Sequence, residues 1–236
     1  MNTITFVVKP FSIIISLSLF CFFACTDTET PHQKNAKPAE IYFDYKIRGQ
    51  ENDTNVSVYL LYRANGPSGN AIKLSDPAKV ELDGETIAVD SAKLAGAFYD
   101  IEMPAKSFPG KHTVAFTDFE SEEHSVEFIY KPFRLKTKIP AAINRGDLVF
   151  DFSGLAKEDY IRVILADTSF LSPDIHEIDT VTNNKLVIPA DKLKNVVNGP
   201  VVLLLSKEIE RPIQNNIRTR GRISISYGMQ REFELK

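Results

Sequence analysis

From about residue 40 to its end, the sequence alternates apolar and polar residues with a period of two, and this pattern restricts the fold more than any other feature. In "NVSVYLLYR", Val56, Val58, Leu60 and Tyr62 share one face, and Ser57, Tyr59, Leu61 and Arg63 share the other. "KHTVAFTD" and "HSVEFIY" alternate in the same way on either side of "FESEE". A helix needs apolar residues three and four apart, so this period marks strands with one face on a core. Turn signals such as "NGPSGN", "LDGE" and "SFPG" cut the pattern into short strands, which is the signature of a sandwich.

Seven strands are expected near 41–48, 56–63, 79–83, 86–90, 97–103, 111–118 and 124–131. Seven short strands in about 90 residues resemble an immunoglobulin-like module, without the disulfide or buried Trp of antibody domains. A second set follows "YKPFRLKTKIP": Leu135 to Ile139, "DLVFDFSG", "YIRVILADTS", "NKLVIPA", "PVVLLLSKEI" and a final hairpin "RISISYGMQREFELK". "VVLLL" reads as a central strand buried on both faces or nearly so. "ADKLKNVVNG" and "LSPDIHEID" each read as a short helical turn. With 236 residues the chain has room for two domains, and Pro132 interrupts the strand pattern near Lys131. The expected fold is all-β: two immunoglobulin-like β-sandwich domains over 40–131 and 132–236, with one large sandwich as the alternative.

The N-terminal segment belongs to a different physical class. "FSIIISLSLFCFFA", residues 11–24, is a nearly unbroken apolar run preceded by the single charge of Lys9. It is short for a membrane span, which takes roughly 20 residues, and it suits the apolar region of an export signal. Bulky Phe22 and Phe23 before Ala24 make a poor ordinary cleavage site. "FFAC" resembles the lipobox of bacterial lipoproteins, and the low-charge start with the Thr-rich stretch after the cysteine is similar to those of the Bacteroidota. That resemblance implies a signal peptide over 1–24 and diacylation of Cys25 as the mature N-terminus. It also implies attachment to the outer membrane, facing the periplasm or the cell surface. "TDTETPHQKNAKPA", within the 25–39 tether, is nearly free of apolar residues and reads as an extended stalk reaching at most ~46 Å. Two or three acyl chains on Cys25 hold a protein to a membrane far more firmly than one.

Composition removes several function classes. A chain starting at Cys25 has 27 basic and 31 acidic residues, the wrong balance for nucleic acid. Cys21 and Cys25 are the only cysteines, so residues 26–236 hold no disulfide, no Cys-based zinc site and no cysteine nucleophile. No G-x-S-x-G elbow, H-E-x-x-H helix, Walker loop or dinucleotide motif occurs. The pairs Glu158/Asp159 and Asp147/Asp151 read as solvated turn residues.

The four histidines, His32, His112, His124 and His176, are too dispersed for a metal. With strand partners summing to 242, His112 falls opposite Tyr130 and His124 opposite Asp118. "DFESEE" carries Asp118, Glu120, Glu122 and Glu123 and reads as a solvated acidic turn rather than a calcium loop. "DSA" at Asp90 and "DTV" at Asp179 resemble O-glycan acceptor sites of the Bacteroidota. In "NNIRTRGRISISYG", Arg218, Arg220 and Arg222 fall on one strand face, a spacing suited to an anionic ligand or to blunting an edge strand. The functional expectation is a non-catalytic, lipid-anchored binding or scaffolding protein with no cofactor and no metal, and with an unidentified protein or glycan ligand. An accessory role in outer-membrane glycan uptake, through the three arginines, is the alternative.

Overall fold

The computed structural model describes residues 41–92, 96–168, 171, 173–215 and 218–236, without the side chains of 214–220. The first part of the chain contributes β1 (Ile41–Gln50), β2 (Asn55–Ala64), β3 (Lys79–Leu82), β4 (Glu85–Thr86), β5 (Val89–Ala92), β6 (Gly96–Pro104), β7 (Gly110–Thr117) and β8 (Glu123–Tyr130). The second contributes β9 (Arg134–Leu135), β10 (Ala142–Ile143), β11 (Leu148–Ser153), β12 (Tyr160–Asp167), β13 (Ile175–Thr180) and β14 (Lys185–Ile188). Two long strands close the chain, β15 (Gly199–Asn215) and β16 (Arg218–Leu235). The fold is all-β with sandwiched sheets, as the alternation requires.

The largest sheet runs β13-β12-β15-β16-β1-β2-β6-β5, with β10 added to the end of β16. A four-stranded sheet, β4-β3-β7-β8, faces its β1 half, and a three-stranded sheet, β14-β11-β9, faces its β12 half. Two cores result. The first is rich in aromatics, with Phe43, Tyr45, Tyr62, Tyr99 and Phe116 meeting at centroid distances of 5.0 to 5.9 Å. The Tyr45 and Tyr62 hydroxyls satisfy each other at 3.0 Å, which removes the penalty of burying either alone. The second core is mainly aliphatic, around Phe150, Phe152, Ile161, Leu165 and Leu203.

The strands on either side of Lys131 sort into these two cores, but the segment expected as a final hairpin is one continuous strand, β16, and the hairpin it forms with β15 belongs to both. Residues Val201 to Ser206 of β15 pair with β12, whereas Gly221 to Gly228 of β16 pair in parallel with β1. Val201, Leu203, Leu205, Met229 and Phe233 are buried in the second core, and Ile213, Ile223 and Ile225 in the first. Tyr227 packs against both. One pleated ribbon therefore supplies a wall to each sandwich.

Several local expectations change. The segment expected as one strand over 86–90 divides into β4 and β5, which lie in different sheets. "ADKLKNVVNG" contains a 3-10 turn over Lys192–Asn195, but "LSPDIHEID" forms β13, because Ile175 and His176 continue a ladder with β12. "VVLLL" is central in its sheet, yet Leu204 is 37% exposed, since only one face of that sheet is covered. The β7–β8 register is shifted by two residues from that expected, with His112 opposite Phe128 and Phe116 opposite His124. The cause is a compact turn in which the Asp118 carboxylate accepts the Glu120 and Glu122 amides and Ser121 takes a positive φ of 66°.

Candidate functional site: a groove between two strand edges

Beyond Ser206, β15 leaves β12 and its outer edge carries no strand among the described residues. Ile209 and Arg211 continue the parity of Leu203 and Leu205, so they point to the core side of the sheet. With no strand beside them they stay exposed, Ile209 at 42%. Across from this edge lies β8, the last strand of the facing sheet. Between the two edges runs a groove of about 480 Å³ over Phe128, Ile129, Ile209 and Ile225. A smaller pocket of about 180 Å³ continues it past Tyr130 to Tyr227, sharing Ile129, Ile209 and Ile225.

The backbone of both edges can be oriented. A guanidinium nitrogen of Arg211 donates to the Glu127 carbonyl across the groove, so Glu127 turns its backbone away from β7. In an antiparallel pair this direction alternates, so Ile129 also presents its N–H and C=O outward. On β15 the Pro200 carbonyl accepts from Thr168 on the β12 side, so even-numbered residues face that way. Glu208, Glu210 and Pro212 therefore face outward. Pro212 has no N–H, which makes β15 the poorer of the two edges for further pairing.

Cations dominate the rim. Lys111 pairs with Glu127 at 2.6 Å and Lys207 with Asp159 at 2.6 Å. Among the described residues Lys131 has no ion-pair partner, and Arg211 is tied only to a backbone carbonyl. Beneath the groove, the Tyr130 hydroxyl is buried without a hydrogen-bond partner. Burial first, and then the Tyr227 and Asp53 charges, drive its pKa upward, so it stays neutral.

Of the three arginines singled out in the sequence, Arg222 serves the fold. Arg222 lies opposite Asp44 in the parallel ladder, and its Nε donates to the buried Asp44 carboxylate at 3.0 Å. Glu210 adds a contact at 3.6 Å, and these acids raise the Arg222 pKa, the Asp44 hydrogen bond most. Its charge is thus balanced inside the sheet. Thr219 pairs with Gln214 and Gly221 with Ile213, which leaves Arg220 without a β15 partner. This bulge interrupts the period-two count that put Arg218, Arg220 and Arg222 on one face. The side chains of Arg218 and Arg220, and all of Cys25, the leader and the tether, lie outside the described residues.

His112 contacts Asp83 and the Phe108 carbonyl, while His124 contacts Asp118. Asp118 is only 1% exposed, so it is a buried turn clamp rather than a solvated acid. Burial raises its pKa, but the hydrogen bonds from His124, Glu122 and Glu120 outweigh this and hold it below the usual carboxylate range. Asp159 binds Lys207 and the Ala156 amide, and Asp147 accepts from the Ala190 amide. Among the described residues no cluster of three or more His, Cys, Asp or Glu could hold a metal. Ser91 and Thr180, the hydroxyl residues of "DSA" and "DTV", are both exposed. Sequence reasoning missed the groove, although exposed-type residues at core parity in "SKEIERP" were its available signal.

No family model matches the chain, and no curated protein does. Among solved structures it is similar to the crystal structure of DIP-gamma IG1+IG2, at 10% identity over 80% of this chain and 97% of that one, with a TM-score of 0.24. Tandem Ig repeats of Dlar match at 9% identity over 80% and 98%, with a TM-score of 0.24. A tetra-tandem repeat from the extending region of a large adhesion protein matches at 11% over 82% and 50%, with a TM-score of 0.26. Scores this low do not superpose one fold on another, so the architecture rests on its own sheets.

Proposed function

We propose that this chain is a lipid-anchored protein of the bacterial envelope whose sandwich cores present a binding or scaffolding surface and perform no catalysis. The groove between β8 and β15 carries the binding half of this reading. It is apolar, bounded by unpaired strand edges and ringed by cations, and no described acid pair or histidine is arranged around it as reacting groups. The anchor half rests on "FFAC" and the polar stretch that follows it. On that reading Cys25 carries the acyl chains, residues 26–39 form the stalk, and the outer membrane is the site of attachment. The glycan alternative loses one arginine to the Asp44 ion pair, and no described side chain favours it.

Metabolic labelling with an alkynyl fatty acid tests the anchor. Label on the wild type and none on Cys25→Ala is the expected result. An unlabelled wild type, or label that survives the substitution, overturns it.

A further inference from the structure

We infer that the groove receives an extended, acidic peptide segment of a partner protein, which adds a strand to the outer edge of β8. The outward N–H and C=O of Ile129, and the N–H of Glu127, are the pairing groups of an eight-residue edge. Ile129, at 64% exposure, and Ile209 leave apolar surface where alternate side chains of an added strand would come to rest. Pro212 removes a donor from β15, so pairing is directed to β8.

The Arg211 guanidinium spans from one edge to the other, which places the two edges within a single side chain's reach. An entering strand displaces this contact and leaves a cation free to meet it. In the lining, Lys111 is paired with Glu127 and Lys207 with Asp159, which leaves the charges of Lys131 and Arg211 unbalanced among the described residues, so the complementary occupant is anionic. A second copy would bring the same cationic rim against itself, which disfavours self-pairing. The inference rests on the binding role proposed above and is independent of the anchor. Failure of acylation leaves it standing, and failure of peptide binding leaves the labelling result intact.

The test uses the full chain in detergent micelles and fluorescein-tagged, end-blocked nine-residue peptides alternating valine and threonine, with two aspartates at either end. One control set replaces aspartate by lysine, and another N-methylates alternate backbone nitrogens. Anisotropy should show the acidic peptides binding about tenfold more tightly than either control. Hydrogen exchange should slow at the Ile129 amide. Ile129→Pro removes one outward donor without touching the β7 ladder and should weaken binding by about tenfold. If that variant melts early, Ile209→Asp provides the same readout by repelling the acidic strand. Lys131→Glu should shift preference toward the lysine peptides.

Equal binding of the N-methylated set overturns the inference, as does absence of binding by every peptide. Protection confined to another edge also overturns it. So does sedimentation showing a dimer that Ile129→Pro abolishes, because the occupant is then a second copy.

Discussion

The same strand behaves differently in the two cores. Between Val201 and Ser206, β15 lies between β12 and β16, and its inward residues Leu203 and Leu205 are fully buried. From Lys207 onward it has β16 on one side only, and its inward residues Ile209 and Arg211 are exposed until Ile213 is covered by the first core. Residue type does not distinguish Leu205 from Ile209; the missing neighbour does. A core position is thus set by parity together with what covers it, and where the cover is missing, as at Ile209, a hydrophobic residue stays exposed.

Substitutions can separate the two conditions. Leu203→Ala should cost about 2–5 kcal/mol in chemical denaturation, the range for a truncated buried leucine. Ile209→Ala, at the same parity, should cost under about 1 kcal/mol. Equal losses would mean that the groove closes over Ile209 in solution.

The hairpin's attachment to the first core is probed at Gly221. A Cβ there would meet the Phe43 carbonyl oxygen at 2.2 Å and the Phe43 Cβ at 2.7 Å. Gly221→Ala should therefore push β16 from β1 at a cost of about 1–3 kcal/mol. Amide exchange should rise in Phe43 to Gln50 and stay slow in Val201 to Ser206.

Gly49→Ala tests the groove's underside, since its Cβ would lie 1.9 Å from the Tyr130 hydroxyl. Overpacking should cost about 1–3 kcal/mol. Tyr130→Phe should be close to neutral alone, because the lost hydroxyl has no partner, and should recover part of the Gly49→Ala loss. A double mutant no more stable than Gly49→Ala would place the clash elsewhere.

Asp118→Asn should lower stability at neutral pH by about 1.5–3 kcal/mol, the worth of hydrogen bonds to a charged group. Because the folded-state pKa lies below the ordinary carboxylate value of 3.8, the stabilisation is present above that value and disappears as pH falls through the folded one. Wild type and variant should converge in acid, and a gap that widened as pH fell would invert this assignment. At the groove rim, Lys111→Ala should change stability by less than about 1 kcal/mol, since both members of the Lys111–Glu127 pair are exposed.

Much of the first half was legible because each strand there is short and bounded by turn residues. β2 and β7 begin and end within a residue of where the alternation places them. The hairpin was not, because period two records which face a residue takes and is silent on which sandwich that face belongs to. The expected strand over "PVVLLLSKEI" ends at Ile209, yet β15 runs on through Pro212, whose nitrogen faces the unpaired side. The arginine spacing meets a related obstacle. A bulge adds one residue without leaving a mark in the pattern, so the count from Arg218 to Arg222 loses its meaning at Arg220. Asp118 looked like one acid among four, and only the turn geometry sets it apart from Glu120, Glu122 and Glu123.

The parallel pairing of β1 with β16 carries a mechanical consequence. A pull on the chain ahead of Ile41 acts along β1, across the ladder from Phe43–Gly221 to Gln50–Gly228. Force in that direction loads all of its rungs in shear at once, whereas a hairpin pulled from its open end gives way one rung at a time. Load on the N-terminal end is therefore carried by β16 into the ribbon that walls both cores, and the two sandwiches resist it as one body.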